Sequence, residues 1–314
     1  MEAVQKFVAP LIENVERVIV GKRSAIEFIM VALLCEGHVL LEDVPGSGKT
    51  MLARSVATSL GISFKRIQCT PDLMPNDVTG VSIFNQKNSE FEFRAGPIFV
   101  NILLADEINR ATPRTQSALL EAMQEQQVTV DGTTRELPRP FLVLATQNPI
   151  EYEGTFPLPE AQLDRFAIKL PLGYPSEKEE REILSRRQQR KQEDAVLSQV
   201  TNAQELIQVR ELVENTHLHP DLETYIVRLV QRTRQDSRVA VGASPRGSLT
   251  FLNLARAKAL FQGREYVIPD DIKWFATPVL RHRIILQPAH WMAPKVADDV
   301  IADVLSKVAV PVLE

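Results

Sequence analysis

Short apolar runs recur along the first half of the chain, at Val39 to Leu41, Phe64 to Cys69, Ile102 to Ala105, Phe141 to Ala145 and Ala167 to Leu170, with longer segments between them. Runs of this length predict strands buried on both faces, the condition of a parallel sheet whose crossovers are helices. Apolar residues at helical spacing predict a helix over residues 2–20, and Ser24-Ala-Ile-Glu27 reads as a capping box opening a second helix that stops before Gly37. Thr50 to Leu60 and Pro113 to Glu125 are further predicted helices, the second with proline in its first turn. Two segments break the series: Val81 to Phe84 with Glu90 to Phe93, and Val128 to Val130 with Thr133 to Leu137 around Asp131-Gly132. Both predict β-hairpins inserted into crossovers. Past Tyr174-Pro175 the strand signals cease, and Glu177 to Gln192, Ala203 to Asn215, Leu222 to Asp236 and Ser248 to Gln262 predict helices. The pattern gives a doubly wound parallel α/β sheet with inserted β-hairpins over residues 1–173, then a smaller all-helical domain over 174–314.

Composition narrows the class without deciding it. With 44% hydrophobic and 24% charged residues in 314, the chain is an ordinary globular one. A net charge of -4 supplies no general basic surface, so nucleic acid is not an expected partner. Cys35 and Cys69 lie in apolar segments and suit buried free thiols in a reducing compartment. The N-terminus has no signal-like apolar region, and no apolar run approaches the roughly 20 residues of a membrane span, so a cytoplasmic location is expected.

The chemistry begins where the first strand ends. Leu41-Glu-Asp43-Val44-Pro45-Gly46-Ser47-Gly48-Lys49-Thr50 runs from an apolar stretch through a glycine turn into a helix. Gly46 and Gly48 let backbone N–H groups converge on phosphate oxygens, and the following helix turns its positive end to the same anion. Lys49 would reach the β- and γ-phosphates and the Thr50 hydroxyl would ligate Mg²⁺. Asp43 stands where the G-x-x-x-x-G-K-[ST] pattern asks for glycine, so the first turn must tolerate a side chain. Ile102-Leu-Leu-Ala-Asp106-Glu107 ends a strand in two carboxylates, at the sheet edge where such folds bind ligands. There Asp106 would hold Mg²⁺, directly or through water, and Glu107 would orient the water that attacks the γ-phosphate.

Other polar residues fit around this pair. Phe141-Leu-Val-Leu-Ala-Thr-Gln147-Asn148-Pro149 places an amide at a strand tip, able to bond a phosphate oxygen and the attacking water. Arg165, in Leu163-Asp-Arg-Phe166, lies at the expected rim of the α/β domain, within reach of a neighbouring subunit. Arg246, in Gly242-Ala-Ser-Pro-Arg246, opens a helix from which it would close over its own chain's nucleotide. Either arginine taken singly equally suits a structural ion pair. Arg281-His282-Arg283 suits a nucleotide contact, a neighbour or an ion-pair cluster. Gln68 and Thr70 are placed to hold Glu107. His217 and His219 lack further ligands in view and suit capping or surface roles better than zinc.

Together these segments resemble the AAA+ ATPases, and within them the MoxR group, in six stretches taken in family order: Val44 to Thr50, Asp72 to Gly80, Asp106 to Arg110, Thr146 to Pro149, Leu158 to Phe166 and Ala243 to Arg246. The group also accepts aspartate at position 43. The resemblance implies that Val44 to Thr50 form Walker A, Asp106 and Glu107 Walker B, Asn148 sensor 1, Arg165 the arginine finger and Arg246 sensor 2. It implies ATP and Mg²⁺ as ligands, a hexameric ring with nucleotide at subunit boundaries, and a chaperone-like remodelling role with a von Willebrand factor A domain partner. The first hairpin corresponds to the family's helix-2 insert, facing substrate or a partner. The expected function is therefore ATP hydrolysis coupled to partner remodelling. A nucleic-acid motor, which the acidic balance opposes, a non-hydrolysing scaffold and a small-molecule kinase are the alternatives.

Overall fold

The computed structural model describes residues 2–42, 46–148, 154–192, 197–291, 293 and 295–312. The strands are β1 (Val39–Glu42), β2 (Phe64–Gln68), β3 (Gly80–Asn85), β4 (Glu90–Ala95), β5 (Ile102–Asp106), β6 (Gln127–Val130), β7 (Thr133–Glu136), β8 (Leu142–Gln147), β9 (Ile168–Pro171), β10 (Val239–Val241) and β11 (Ile285–Leu286). The helices are α1 (Glu2–Glu16), α2 (Arg23–Leu34), α3 (Lys49–Leu60), α4 (Pro75–Thr79), α5 (Pro113–Glu125), α6 (Glu160–Leu163), α7 (Glu177–Arg190), α8 (Ala203–Glu214), α9 (Pro220–Thr233), α10 (Pro245–Phe261), α11 (Pro269–Trp274), α12 (Ala276–Leu280) and α13 (Val296–Lys307).

Five strands form a parallel sheet in the order β2-β5-β8-β1-β9. Alternation along each strand divides its apolar residues between two cores. Leu41, Leu104 and Leu144 face the core shared with α1, α2, α3 and the C-terminal helices, while Leu40, Leu103 and Val143 face α5. Every residue of β5 is buried, which is why its sequence reads as one unbroken apolar run. The first core continues from the sheet through α2 into α8 and α10, so the C-terminal helices share apolar packing with the α/β part.

Both predicted hairpins are present as antiparallel pairs, β3 with β4 and β6 with β7. The guanidinium of Arg135 on β7 lies 4.1 Å from the ring centroid of Phe93 on β4, joining the two. Phe84 and Phe91, opposite each other on β3 and β4, are 50% and 75% exposed with ring centroids 5.3 Å apart. Such rings exposed together on a hairpin suit contact with another molecule.

Two local expectations change. Ser24 does not cap α2: the helix starts one residue earlier, Lys22 occupies the cap without a side-chain bond, and Glu27 pairs instead with Arg23 and Lys258. A true capping box opens α7, where Ser176 Oγ accepts from the Glu179 N–H and Glu179 Oε2 accepts from the Ser176 N–H. The C-terminal helices also carry one antiparallel strand pair, β10 with β11, too short to leave an alternating pattern in the sequence. No helix among the described residues is long and apolar enough to cross a membrane.

Candidate active site

The glycine turn between β1 and α3 borders a cleft of about 740 Å³. Gly46 and Gly48 have φ of +83° and +86°, and a Cβ at either would meet nothing within 4 Å. Glycine is required there by backbone conformation and not by crowding. Gly48 caps α3 without a side chain, no acidic residue lies in the first turn, and the N-terminus of this helix opens on the cleft with Lys49 and Thr50. Ser47 Oγ is buried without a hydrogen-bond partner among the described residues. An orphaned hydroxyl beside left-handed glycines at a helix N-terminus fits a bound phosphate, which would satisfy it. Asp43, Val44, Pro45 and Pro149 lie outside the described residues.

Asp106 and Glu107 end β5 at the same cleft, and their neighbours follow from sheet register. Gln68 of β2 stands opposite Asp106, and Ala105 opposite Ala145 brings Thr146 of β8 alongside on the other side. Thr146 Oγ1 donates to Asp106 Oδ1 at 2.6 Å and accepts the Glu107 N–H at 2.8 Å, so one hydroxyl ties both acidic residues to β8. Glu107 has φ +55°, a conformation that side chains other than glycine seldom take and that turns its carboxylate away from the strand direction. Its Oε2 accepts from Gln68 Nε2 at 2.7 Å and from Arg110 Nη1 at 3.2 Å. Gln68 thus holds Glu107 as its position in the sequence suggested. Thr70 does not share the task; its hydroxyl bonds Asp72 and holds that carboxyl below the usual range. Burial, with Asp106 and Glu107 nearby, pushes the Cys69 thiol up to about 12.

Asn148, 6% exposed, lies one residue past β8 and lines the cleft with Lys49, Thr50, Asp106 and Glu107. Carboxylate and hydroxyl oxygens of Asp106 and Thr50 are the hard donors that suit Mg²⁺. Sequence reading missed several contributors, Arg66, Val18 and Leu197 among them. Arg66, two residues before Gln68 and so on the same face of β2, donates to Asp106 Oδ2 from Nε at 3.0 Å and from Nη2 at 2.6 Å. Val18 and Leu197 supply an apolar wall, but they lie far from the glycine turn in sequence and carry no motif. For Arg66 the available signal was strand alternation: a cation two positions from the sheet edge points the same way as Gln68.

The two arginines lie elsewhere. Arg165, just past α6, and Arg246, in the first turn of α10, line a second depression together with Asp164 and Arg283. Arg246 thus lines this second depression and not the cleft at its own chain's glycine turn. Arg283 is a buried partner of Asp164, donating from Nε to Oδ1 at 2.7 Å, and also bonds the carbonyls of Phe166, Ala167 and Val279. His282 Nε2 meets the Phe166 carbonyl at 2.9 Å, and Arg281 pairs with Asp298. That basic cluster is thus a structural joint. His219 Nδ1 accepts the Asp221 N–H at the start of α9.

Comparison with known proteins agrees with this geometry. Residues 38–168 match the ATPase family associated with various cellular activities (AAA), and residues 231–304 match the AAA lid domain. The chain is 45% identical to Chaperone MoxR1 of Mycobacterium tuberculosis (strain ATCC 25618 / H37Rv), across 95% of this chain and 81% of that protein. The chain belongs to the MoxR family of AAA+ ATPases. This MoxR-family ATPase is also 51% identical to the uncharacterised protein YeaC of Bacillus subtilis (strain 168), across 99% of this chain and 97% of that one. It superposes on a solved structure of a candidate ATPase from Cytophaga hutchinsonii ATCC 33406 with a TM-score of 0.92 and 39% identity, covering 98% of this chain and 96% of the other. Within the MoxR-family chain, β1, β2, β5 and β8 of the central sheet and the glycine turn fall inside the AAA match, which ends at the first residue of β9, and α10 to α12 fall inside the lid match.

Proposed function

We propose that this ATPase acts with Mg²⁺ as a subunit of a hexameric ring in the cytoplasm and uses turnover to remodel partner proteins in a chaperone-like way. The single observation that carries the reading is the convergence of Gly46 to Thr50, Asp106, Glu107 and Asn148 on one cleft, with Arg165 and Arg246 together on another surface. In this reading the loop of Val44 to Thr50 holds the phosphates, Lys49 pairs with the β- and γ-phosphates, and Val18 with Leu197 receives the base. Thr50 and Asp106 hold the metal, which supplies charge neutralisation at the phosphates when bound. Glu107 accepts the proton of the attacking water, and Asn148 keeps that water and a phosphate oxygen in register. Arg165 and Arg246 donate to a neighbouring subunit's nucleotide, since both are remote from the cleft of their own chain.

Kinship with Chaperone MoxR1 supports the remodelling role. The family's von Willebrand factor A domain partner is proposed on resemblance, with the exposed Phe84 and Phe91 of the first hairpin as a surface for client or partner. The domain boundary is proposed at Gly173-Tyr174, ahead of α7. Glu107→Gln tests the site. It is expected to keep ATP affinity within about twofold while phosphate release falls by about 10² to 10⁴, the usual worth of a general base. Loss of nucleotide binding in that variant would overturn the role given to Glu107.

A further inference from the structure

The chain itself occupies the carboxylate that should meet the metal. Asp106 Oδ1 is taken by the Thr146 hydroxyl, and Oδ2 accepts two donors from Arg66, at 3.0 and 2.6 Å. Arg66 Nη2 also donates to Gln68 Oε1 at 2.6 Å, and the other end of that amide, Nε2, donates to Glu107 Oε2 at 2.7 Å. Arg66 and Gln68, two apart on β2, therefore grip both acidic residues at the end of β5. Opposite Asp106, the register allows only this: residue 68 stands across from residue 106, and residue 66 shares its face. The Arg66 side chain is 46% exposed whereas that of Asp106 is 11% exposed. The guanidinium can thus swing into solvent at little cost to itself, but it leaves behind the buried Asp106 carboxylate, which then calls for another cation in its place.

We propose that Arg66 is a positioning residue that competes with the divalent cation for Asp106 Oδ2 and transmits the outcome to Glu107 through Gln68. The inference rests on the reading of the cleft as a Mg²⁺-dependent ATP site and adds a control over metal entry. A guanidinium and a divalent cation seek the same lone pairs on Oδ2 and repel each other, so direct ligation by Asp106 requires Arg66 to withdraw. Withdrawal removes the donor that fixes the Gln68 amide oxygen. Gln68 then rotates freely, and its hold on Glu107 loosens. The carboxylate that orients water is in this way released only when the metal is seated.

The test is the free Mg²⁺ concentration, set by a metal buffer, at which the full-length protein half-maximally binds a fluorescent non-hydrolysable ATP analogue. Arg66→Ala is expected to lower it about three- to fivefold, the upper end for an exposed charge pair. Arg66→Lys, which keeps the charge but loses the fork, should lower it less. Gln68→Ala should lower it less than Arg66→Ala, because Gln68 accepts from Arg66 Nη2 but leaves both of that guanidinium's bonds to Asp106 in place. An unchanged or higher Mg²⁺ demand in Arg66→Ala, or an equal shift in Gln68→Ala, would overturn the proposal. So would loss of analogue binding by Arg66→Ala at saturating Mg²⁺, which would make Arg66 a phosphate ligand. If wild-type protein binds the analogue at no Mg²⁺ concentration, the underlying ATP-site reading fails as well. Should Arg66→Ala not fold, the lysine variant reports the same shift alone, and no shift in it overturns the proposal.

Discussion

Asp164 holds one arginine and one serine with a single carboxylate. Its Oδ1 accepts from Arg283, its Oδ2 accepts from Ser244 Oγ at 2.9 Å, Arg165 follows it directly, and Arg246 lies two residues past Ser244. Only 2% of the Arg283 side chain is exposed. Removing Asp164's side chain would leave a buried guanidinium without a counter-charge, although four backbone carbonyls would still receive its protons. Asp164→Ala is expected to cost about 3 kcal/mol, the low end for breaking a buried pair. Urea denaturation measures it, and the double variant with Arg283→Met should recover part of the loss; no recovery at all would mean that Asp164 acts through Ser244 alone. This pair shows where residue-scale reading from sequence stops. Lys49, Thr50, Asp106, Glu107 and Asn148 were legible because each belongs to a contiguous strand-end segment whose local geometry carries its chemistry. Asp164 and Arg283 are 119 residues apart, and no local pattern links them. Arg66 bonds Asp106 as closely as the motif residue Thr146 does, yet its signal is only its strand parity.

At the scale of elements, the central strands were legible because burial on both faces demands unbroken apolar runs, and the second hairpin because Asp131-Gly132 supplies a left-handed turn. The β10–β11 pair was not, since two and three residues cannot show a period. How the elements are fastened was equally hidden. His38, just before β1, donates from Nε2 to the Met123 carbonyl at the end of α5 and accepts the Val143 N–H of β8 on Nδ1. Acceptance on Nδ1 requires the neutral ring, and burial lowers its pKa from 6.5 to about 4. Because the folded-state value lies below the unfolded one, the unfolded chain binds more protons between them. Stability is therefore complete above pH 6.5 and falls as pH drops toward 4, by up to about 1.4 kcal/mol per unit and about 3 kcal/mol in all. His282, buried against the Phe166 carbonyl and the Arg283 charge, is lowered as well and adds a second contribution in the same direction. Urea midpoints across pH 7 to 4.5 should show this slope, and His38→Gln should flatten part of it. A His38→Gln slope equal to that of wild type would remove His38 as the source.

For the whole molecule, the distribution of charge-bearing residues matters more than the fold. Each chain offers a cleft with Lys49, Asp106 and Glu107 and, on a separate surface, Arg165 with Arg246, so the proposed ring of copies would bring unlike halves together at every boundary. Head-to-tail assembly of this kind makes a definite prediction for mixed subunits. Arg165→Ala should reduce turnover by about 10³ to 10⁵, as loss of an arginine supplied from a neighbour does. Glu107→Gln should be inactive for a different reason, in its own cleft. Mixed in equal amounts, the two should recover activity, because an Arg165→Ala subunit retains Glu107 and a Glu107→Gln neighbour retains Arg165. In a randomly mixed head-to-tail ring about one boundary in four has that arrangement, so recovery should approach roughly a quarter of the wild-type rate. Subunits carrying both changes, mixed with the single variants, should lower it further. If the arginine instead served its own chain, every cleft in the mixture would lack one essential group and no activity would return. Phosphate release after mixing, with size-exclusion chromatography to confirm that the variants exchange into common assemblies, separates the two cases. Co-assembly without recovery would overturn the shared site while leaving the roles of Lys49 and Glu107 intact.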